Sequence, residues 1–197
     1  MAAPSLARVV LASTSPYRRE LLQRLKLPFE TVAPDVDECP APDELPESLA
    51  LRLAKAKAAA VTAAYPDHLI IGSDQVAVGA ASILDKPGTY EKAFAQLALM
   101  RGRNVAFHTA VCLINSRTGR VQAEVVTINV RMRDYSDAQI ERYLKADEPY
   151  DCAGSARIES LGISLVEKFE GDDPTALIGL PLIALCKMLR NEGIELP

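Results

Sequence analysis

Apolar residues along this chain fall into two rhythms, and the switches between them mark the elements. Arg8 to Ala12 is a short apolar run that predicts a strand, feeding Ser13-Thr14-Ser15-Pro16, after which Tyr17, Leu21, Leu22 and Leu25 recur at helical spacing. Ser15 as N-cap with Pro16 at the first helical position is a start signal: the hydroxyl takes an unpaired N–H, and proline loses no hydrogen bond there. A short strand is predicted around Phe29 to Val32, then an irregular, proline- and acid-rich loop to residue 48. An Ala/Leu/Lys-rich helix follows from near Glu47 to about Tyr65. Leu69 to Val78 is nearly continuous in its apolar character, as a strand covered on both faces would be, except that Asp74 interrupts it.

Further on, Thr89 is placed to cap a helix carrying Ala93, Phe94, Leu97 and Met100 and closed by Gly102. Val105 to Asn115 and Arg120 to Arg133 predict two long strands joined as a hairpin. Ser136-x-x-Gln139 is a capping box that opens a helix with Ile140, Tyr143 and Leu144 on one face. A glycine-containing loop, Cys152 to Ser160, leads to a strand expected near Ile163 to Phe169, and a last helix carries Leu182 to Leu189. Strands both separated by helices and paired in a hairpin point to an α/β or α+β mixed sheet.

Composition narrows the function classes. The 197 residues are expected to form one domain spanning 1–197, with roughly 70% of the unfolded surface removed from water. Net charge is −4, so no global positive field holds a nucleic-acid polymer or an anionic membrane, and any phosphate must meet a local site. Cys39, Cys112, Cys152 and Cys186 are widely spaced with no CxxC pair, which reads as reduced, mostly buried thiols. The N-terminal apolar run is too short for a signal-peptide core or a membrane span, so the expected location is cytoplasmic.

The chain has no GxxxxGK[ST], GxGxxG, HExxH or GxSxG signature. What remains is charge in otherwise apolar segments. Ser13 to Arg19 sets three hydroxyls and a helix start beside two guanidiniums, an anion site or an ordinary cap. Asp74 loses hydration in an apolar strand unless a cation compensates. Asp35-x-Asp37-Glu38 offers oxygen ligands to Mg²⁺ or Mn²⁺, or is a solvated acidic loop. Lys57 and Lys86 read singly as surface residues. Together these are the parts that hydrolysis of a nucleotide phosphate requires. His68 and His108 are read as structural.

The segments LASTSPYRRELL, APDVDE, LAKAKA, IIGSDQVAV, LDKPGT, CAGSARIESLGI and IGLPL, in this order, make the chain similar to the Maf family of nucleotide pyrophosphatases. The resemblance implies a Maf/ITPase-like α/β fold with an elongated mixed β-sheet flanked by helices, two lobes around a cleft, and a homodimer. It also implies hydrolysis of a nucleoside triphosphate to monophosphate and pyrophosphate, dependent on a divalent metal cation (Mg²⁺, Mn²⁺ or Co²⁺). Position by position, Asp74 matches the proton acceptor and Lys57 and Lys86 the catalytic-site lysines. Ser13 with Arg18 or Arg19 matches the phosphate-binding turn, and Asp37 or Glu38 the acidic position that, with Asp74, supports metal or water. Tyr17, Gln75 and Glu159 stand where the family's substrate subgroups diverge, and resemble the branch acting on 7-methyl-GTP rather than the pyrimidine branch. A cationic N7-methylated ring gains from stacking on Tyr17, and Glu159 matches the guanine N1–H and amine. The rival readings are a dTTP/UTP or broader pyrophosphatase, and a nucleotide-binding regulator of septum formation.

Overall fold

The computed structural model describes residues 8–197. The expectation drawn from the N-terminal apolar run falls partly on residues 1–7, outside that range. The elements are β1 (Arg8–Ala12), α1 (Pro16–Gln23), β2 (Phe29–Val32), α2 (Pro46–Ala60), β3 (His68–Gly79), β4 (Ser82–Leu84), α3 (Tyr90–Met100), β5 (Asn104–Asn115), β6 (Arg120–Met132), α4 (Asp137–Asp147), β7 (Val166–Glu170) and α5 (Leu182–Asn191). The strands form one seven-stranded mixed sheet in the order β2-β1-β3-β5-β6-β7, with β4 paired to β3. β1 lies parallel to β2 and β3, while the β3-β5-β6-β7 pairs are antiparallel.

The alternation of side chains along a strand distributes the core. Val9 and Leu11 of β1, with Leu69 and Ile71 of β3, face α1 and α5 and pack with Leu21, Leu22 and Leu185. Val10, Ala12, Ile70 and Val76 face the other way, against Leu49, Ala50, Leu53, Ala54 and Ala58 of α2. A third cluster gathers Ala77 at the far end of β3 with Leu97 and Met100 of α3 and Ile140 and Leu144 of α4. β3 therefore runs from one pair of packed layers into another core, and its middle lies between them.

Several boundaries differ from the sequence reading. α2 ends at Ala60, and a separate 3₁₀ turn occupies Thr62–Ala64, because Val61 leaves the helical ψ range. β4 is too short to show a period. Residues Leu161–Leu165 form a 3₁₀ turn, so the last strand begins at Val166. All four cysteines are unpaired, but only Cys112 is buried; Cys39 is exposed and Cys152 and Cys186 are intermediate. Among the described residues no helix is long and apolar enough to cross a membrane.

One position controls how closely α2 meets the sheet. A Cβ at Gly72 would stand 2.2 Å from the carbonyl oxygen of Ala54 and 2.7 Å from the amide nitrogen of Ala58. Backbone atoms cannot yield to a methyl group locally, so α2 sits where it does because residue 72 has no side chain. Gly72→Ala is expected to destabilise the protein by about 2 kcal/mol or more, read as a lower urea midpoint, and to lower activity by moving α2 outward.

Candidate functional site

The site follows from a gap in the sheet. On one edge of β3, β1 pairs with His68 to Gly72 and β4 pairs with Ala77 to Gly79. Ser73 to Val76 have no strand neighbour on that side. The chain leaving β1 supplies Ser13 to Arg18 to one rim, and the end of β4 supplies Asp85 and Lys86 to the other. Between them opens a cavity of about 540 Å³, whose wall also includes Glu38, Lys57, Asp74, Gln75, Asp151 and Glu159.

Lys57 and Asp74 form its floor. Asp74 shares a face of β3 with Gly72, and Lys57 lies in the buried stripe of α2 that crosses above it. The residues are 6% and 7% exposed, which for a lysine and an aspartate requires pairing. Lys57 Nζ donates to Asp74 Oδ1 at 2.6 Å and lies 2.7 Å from Glu38 Oε1. Desolvation raises the Glu38 carboxyl, but the Lys57 hydrogen bond and charge, with Lys86 and Arg18 beyond, hold it below its ordinary value.

The rim at α1 is built as the sequence predicts. Ser15 caps the helix through Arg18 N, and Ser13 Oγ accepts from Ser15 N at 3.1 Å. Arg18 Nε donates to the Gly179 carbonyl at 2.8 Å. Burial lowers the Arg18 guanidinium from its ordinary value, opposed by the charges of Asp74 and Glu38. Gly179 has φ 119°, a conformation that a side chain disfavours, and it ends the short turn Pro174–Ile178.

From the same helix, the Tyr17 hydroxyl reaches across to donate to Asp151 Oδ2 at 3.0 Å, and the Arg157 guanidinium lies over its ring, 5.6 Å from the centroid. Arg157 also donates to Asp151 Oδ1 at 3.2 Å and to the Asp147 carbonyl at 2.9 Å, tying this loop to the end of α4. Desolvation raises the Tyr17 hydroxyl, with Cys152 and Asp151 adding to it. Desolvation likewise raises Glu159, and its neighbours Asp147 and Glu20 act in the same direction. Burial pushes the Cys152 thiol up to about 11, so it is not a thiolate nucleophile at neutral pH. Gly88 N donates to the Tyr150 carbonyl at 2.9 Å, joining the Lys86 loop to the loop after α4.

Of the residues singled out in the sequence, Ser13, Tyr17, Arg18, Glu38, Lys57, Asp74, Gln75, Lys86 and Glu159 therefore surround one cavity. Arg19 and Asp37 do not. Successive residues of a helix point about 100° apart, so Arg19 is exposed on the side of α1 facing Thr31 and Ala33. The Asp37 carboxylate accepts from Cys39 N at 3.0 Å. Of the alternatives Arg18 or Arg19, and Asp37 or Glu38, the cavity takes Arg18 and Glu38. Among the described residues no three His, Cys, Asp or Glu side chains gather into a metal cage.

Sequence reasoning passed over Asp151, Arg157 and the Glu44–Arg52 pair. Arg52 Nε and Nη2 donate to the two carboxylate oxygens of Glu44 at 2.7 and 2.8 Å, and Nη2 also reaches the Cys39 carbonyl at 3.0 Å. Glu44 accepts from Ala41 N as well. This clamp binds the loop bearing Glu38 to α2, and an acid in the loop paired with an arginine eight residues on in the helix gives no periodic signal.

The chain matches the Maf-like protein family over residues 8–192. A 7-methyl-GTP pyrophosphatase of Aromatoleum aromaticum is 56% identical over 97% of this chain and 98% of its own. One of Thiobacillus denitrificans is 58% identical over 95% and 93%, and one of Cupriavidus metallidurans 52% over 98% and 97%. Among solved structures, the Ham1 protein of Staphylococcus aureus matches 64% of this chain and 72% of its own at 16% identity, with a TM-score of 0.43.

The clamp has a pH signature. Hydrogen bonds from Arg52 and Ala41 lower the Glu44 carboxyl from 4.5 to about 2. A depressed folded-state value stabilises the fold above about pH 4.5, and the contribution is lost as pH falls through about 2. Glu44→Gln is therefore expected to lower the melting temperature at neutral pH, and the difference from the unsubstituted protein to close as the pH is taken down towards 2.

Proposed function

The chain belongs to the Maf-like protein family, and from that premise we propose that it hydrolyses 7-methyl-GTP to 7-methyl-GMP and pyrophosphate. The observation that carries this is a carboxylate, Asp74, held on a buried ammonium beside Glu38 and Arg18 in one cavity that Tyr17 and Glu159 also line. Near-full-length likeness to proteins named 7-methyl-GTP pyrophosphatases supports the substrate.

The cavity offers cations to a triphosphate. Arg18, Lys57 and Lys86 supply positive charge around the floor and rim, where a triphosphate brings several negative charges. Glu159 lines the same cavity as Tyr17, and its carboxylate would meet the positive ring that an N7-methylated guanine brings, whereas the charge of Asp151 is already paired with Arg157. A triphosphate chain thus lies toward Arg18, and the base toward Tyr17 and Glu159.

Lys57 fixes Asp74 through Oδ1, and among the described residues no hydrogen bond engages Oδ2. Asp74 takes a proton from a water at the α-phosphorus, the oxygen of that water forms the new P–O bond, and the bond from the α-phosphorus to the α–β bridging oxygen breaks. The electron pair leaves on pyrophosphate, whose charge Arg18, Lys57 and Lys86 neutralise. Tyr17 and Glu159 hold the base and set the distance from ring to α-phosphorus.

The donor set fits a divalent cation. Glu38 Oε1 and Asp74 Oδ1 already meet at the Lys57 ammonium, so a cation would take the remaining oxygen of each carboxylate, and Mg²⁺ or Mn²⁺ is commonly bound by one or two carboxylates together with substrate phosphates. Glu38 and Asp74 would hold it; when bound, the ion supplies charge neutralisation on the phosphates. Asp37 has no part in this assignment, because its carboxylate is committed to Cys39.

The test is pyrophosphate release from 7-methyl-GTP, GTP, dTTP, UTP and CTP with Mg²⁺ or Mn²⁺, then with chelator. Fast, chelator-sensitive release from 7-methyl-GTP is expected, with Asp74→Asn reducing kcat by at least about 10²-fold and Glu159→Gln narrowing the preference over UTP. Release mainly from dTTP and UTP would overturn the base assignment, and nucleotide binding without turnover would favour the regulator.

A further inference from the structure

Gln75 stands next to Asp74 in sequence, but successive side chains of a strand point to opposite faces of the sheet. Asp74 faces α2, whereas Gln75 faces the turn Pro174–Ile178 that precedes α5. Its Nε2 donates to the Ala176 carbonyl at 2.9 Å, the Leu177 carbonyl at 3.2 Å and Thr109 Oγ1 at 3.0 Å. Two of these partners can only accept. The third must accept as well, since the Thr109 hydroxyl gives its own proton to the Ala176 carbonyl at 2.8 Å. The nitrogen assignment is thus forced, and the two amide protons are shared among the Ala176 and Leu177 carbonyls of the turn and Thr109 of β5.

The same turn ends at Gly179, whose carbonyl accepts from Arg18 Nε at 2.8 Å and shares the single Ser73 hydroxyl proton, at 2.9 Å, with the Ala110 carbonyl at 2.7 Å. Fixing Nε of a guanidinium orients the plane of its two remaining nitrogens. From this chain of contacts we infer that Gln75 is a positioning residue for phosphate binding: it holds the turn whose Gly179 carbonyl aims Arg18, and it does not read the base. This rests on the placing of the triphosphate against Arg18 described above. It reassigns Gln75 from the base-discriminating role that family resemblance gives it.

The experiment measures binding of inorganic pyrophosphate by calorimetry, together with the ratio of kcat/KM for 7-methyl-GTP over GTP. Gln75→Met keeps length and removes the amide; Thr109→Val, a near-isosteric change on the other side of the turn, removes the hydroxyl that bridges Gln75 to Ala176. Each is expected to weaken pyrophosphate binding about tenfold, the size of one lost hydrogen bond, and to leave the nucleotide ratio unchanged. In an Arg18→Ala background the Gln75→Met effect is expected to vanish, because the two act in series. A changed nucleotide ratio with pyrophosphate binding intact would overturn the inference. So would an undiminished Gln75→Met effect without Arg18, or failure of the unsubstituted protein to bind pyrophosphate. Pyrophosphate binding without turnover of any nucleotide would sink the proposed reaction while leaving the Gln75 test intact, so the two readings fail separately.

Discussion

A lysine ammonium between two carboxylates, inside a protein wall, is the contact on which the site depends. Removing Lys57 and Asp74 from water carries a desolvation cost of several kcal/mol per ion, offset only when the charges meet at hydrogen-bond distance. That requirement reaches outward. Lys57 meets Asp74 because α2 lies against Gly72 without a side chain between them, and Glu38 meets Lys57 because the Glu44–Arg52 pair binds its loop to the same helix. The helix, the strand and the loop are thereby fixed to one another by charge as well as by apolar packing.

Opposite faces of one short strand segment divide the remaining tasks. Asp74 looks to α2 and the chemistry, while Ser73 and Gln75 look to the turn before α5 and secure Gly179. Arg18 lies where both systems meet, its Nε on the Gly179 carbonyl and its charge felt by Asp74 and Glu38. Another part of the cavity wall is organised by a different set, in which Arg157 joins Asp151, the end of α4 and the ring of Tyr17.

The fold was legible wherever residue type marked an element or its end. β1, β2, the hairpin and the helices capped by Ser15, Thr89 and Ser136 follow from apolar runs, β-branching and cap chemistry, and Asp74 declared itself as a charge in an apolar strand. What the sequence concealed has a common cause. β4 is too short to show a period, and Leu161–Leu165 is apolar enough to pass for strand, although it is a 3₁₀ turn. Arg19 could not be separated from Arg18, nor Asp37 from Glu38, by residue type, since direction around a helix and along an irregular loop decides which one reaches the cavity. Asp151 and Arg157 matter through partners distant in sequence, such as Tyr17, and a linear reading has no term for that.

An unpaired strand edge ordinarily invites another chain to add itself, which is how sheets aggregate. Here the bare stretch of β3 from Ser73 to Val76 is closed at one end by β1 and at the other by β4. An intruding strand needs a longer straight run of backbone than that aperture offers. The interruption is therefore closed at both ends by paired backbone, and its open side faces the cavity, where Asp74, Gln75 and Val76 form part of the wall.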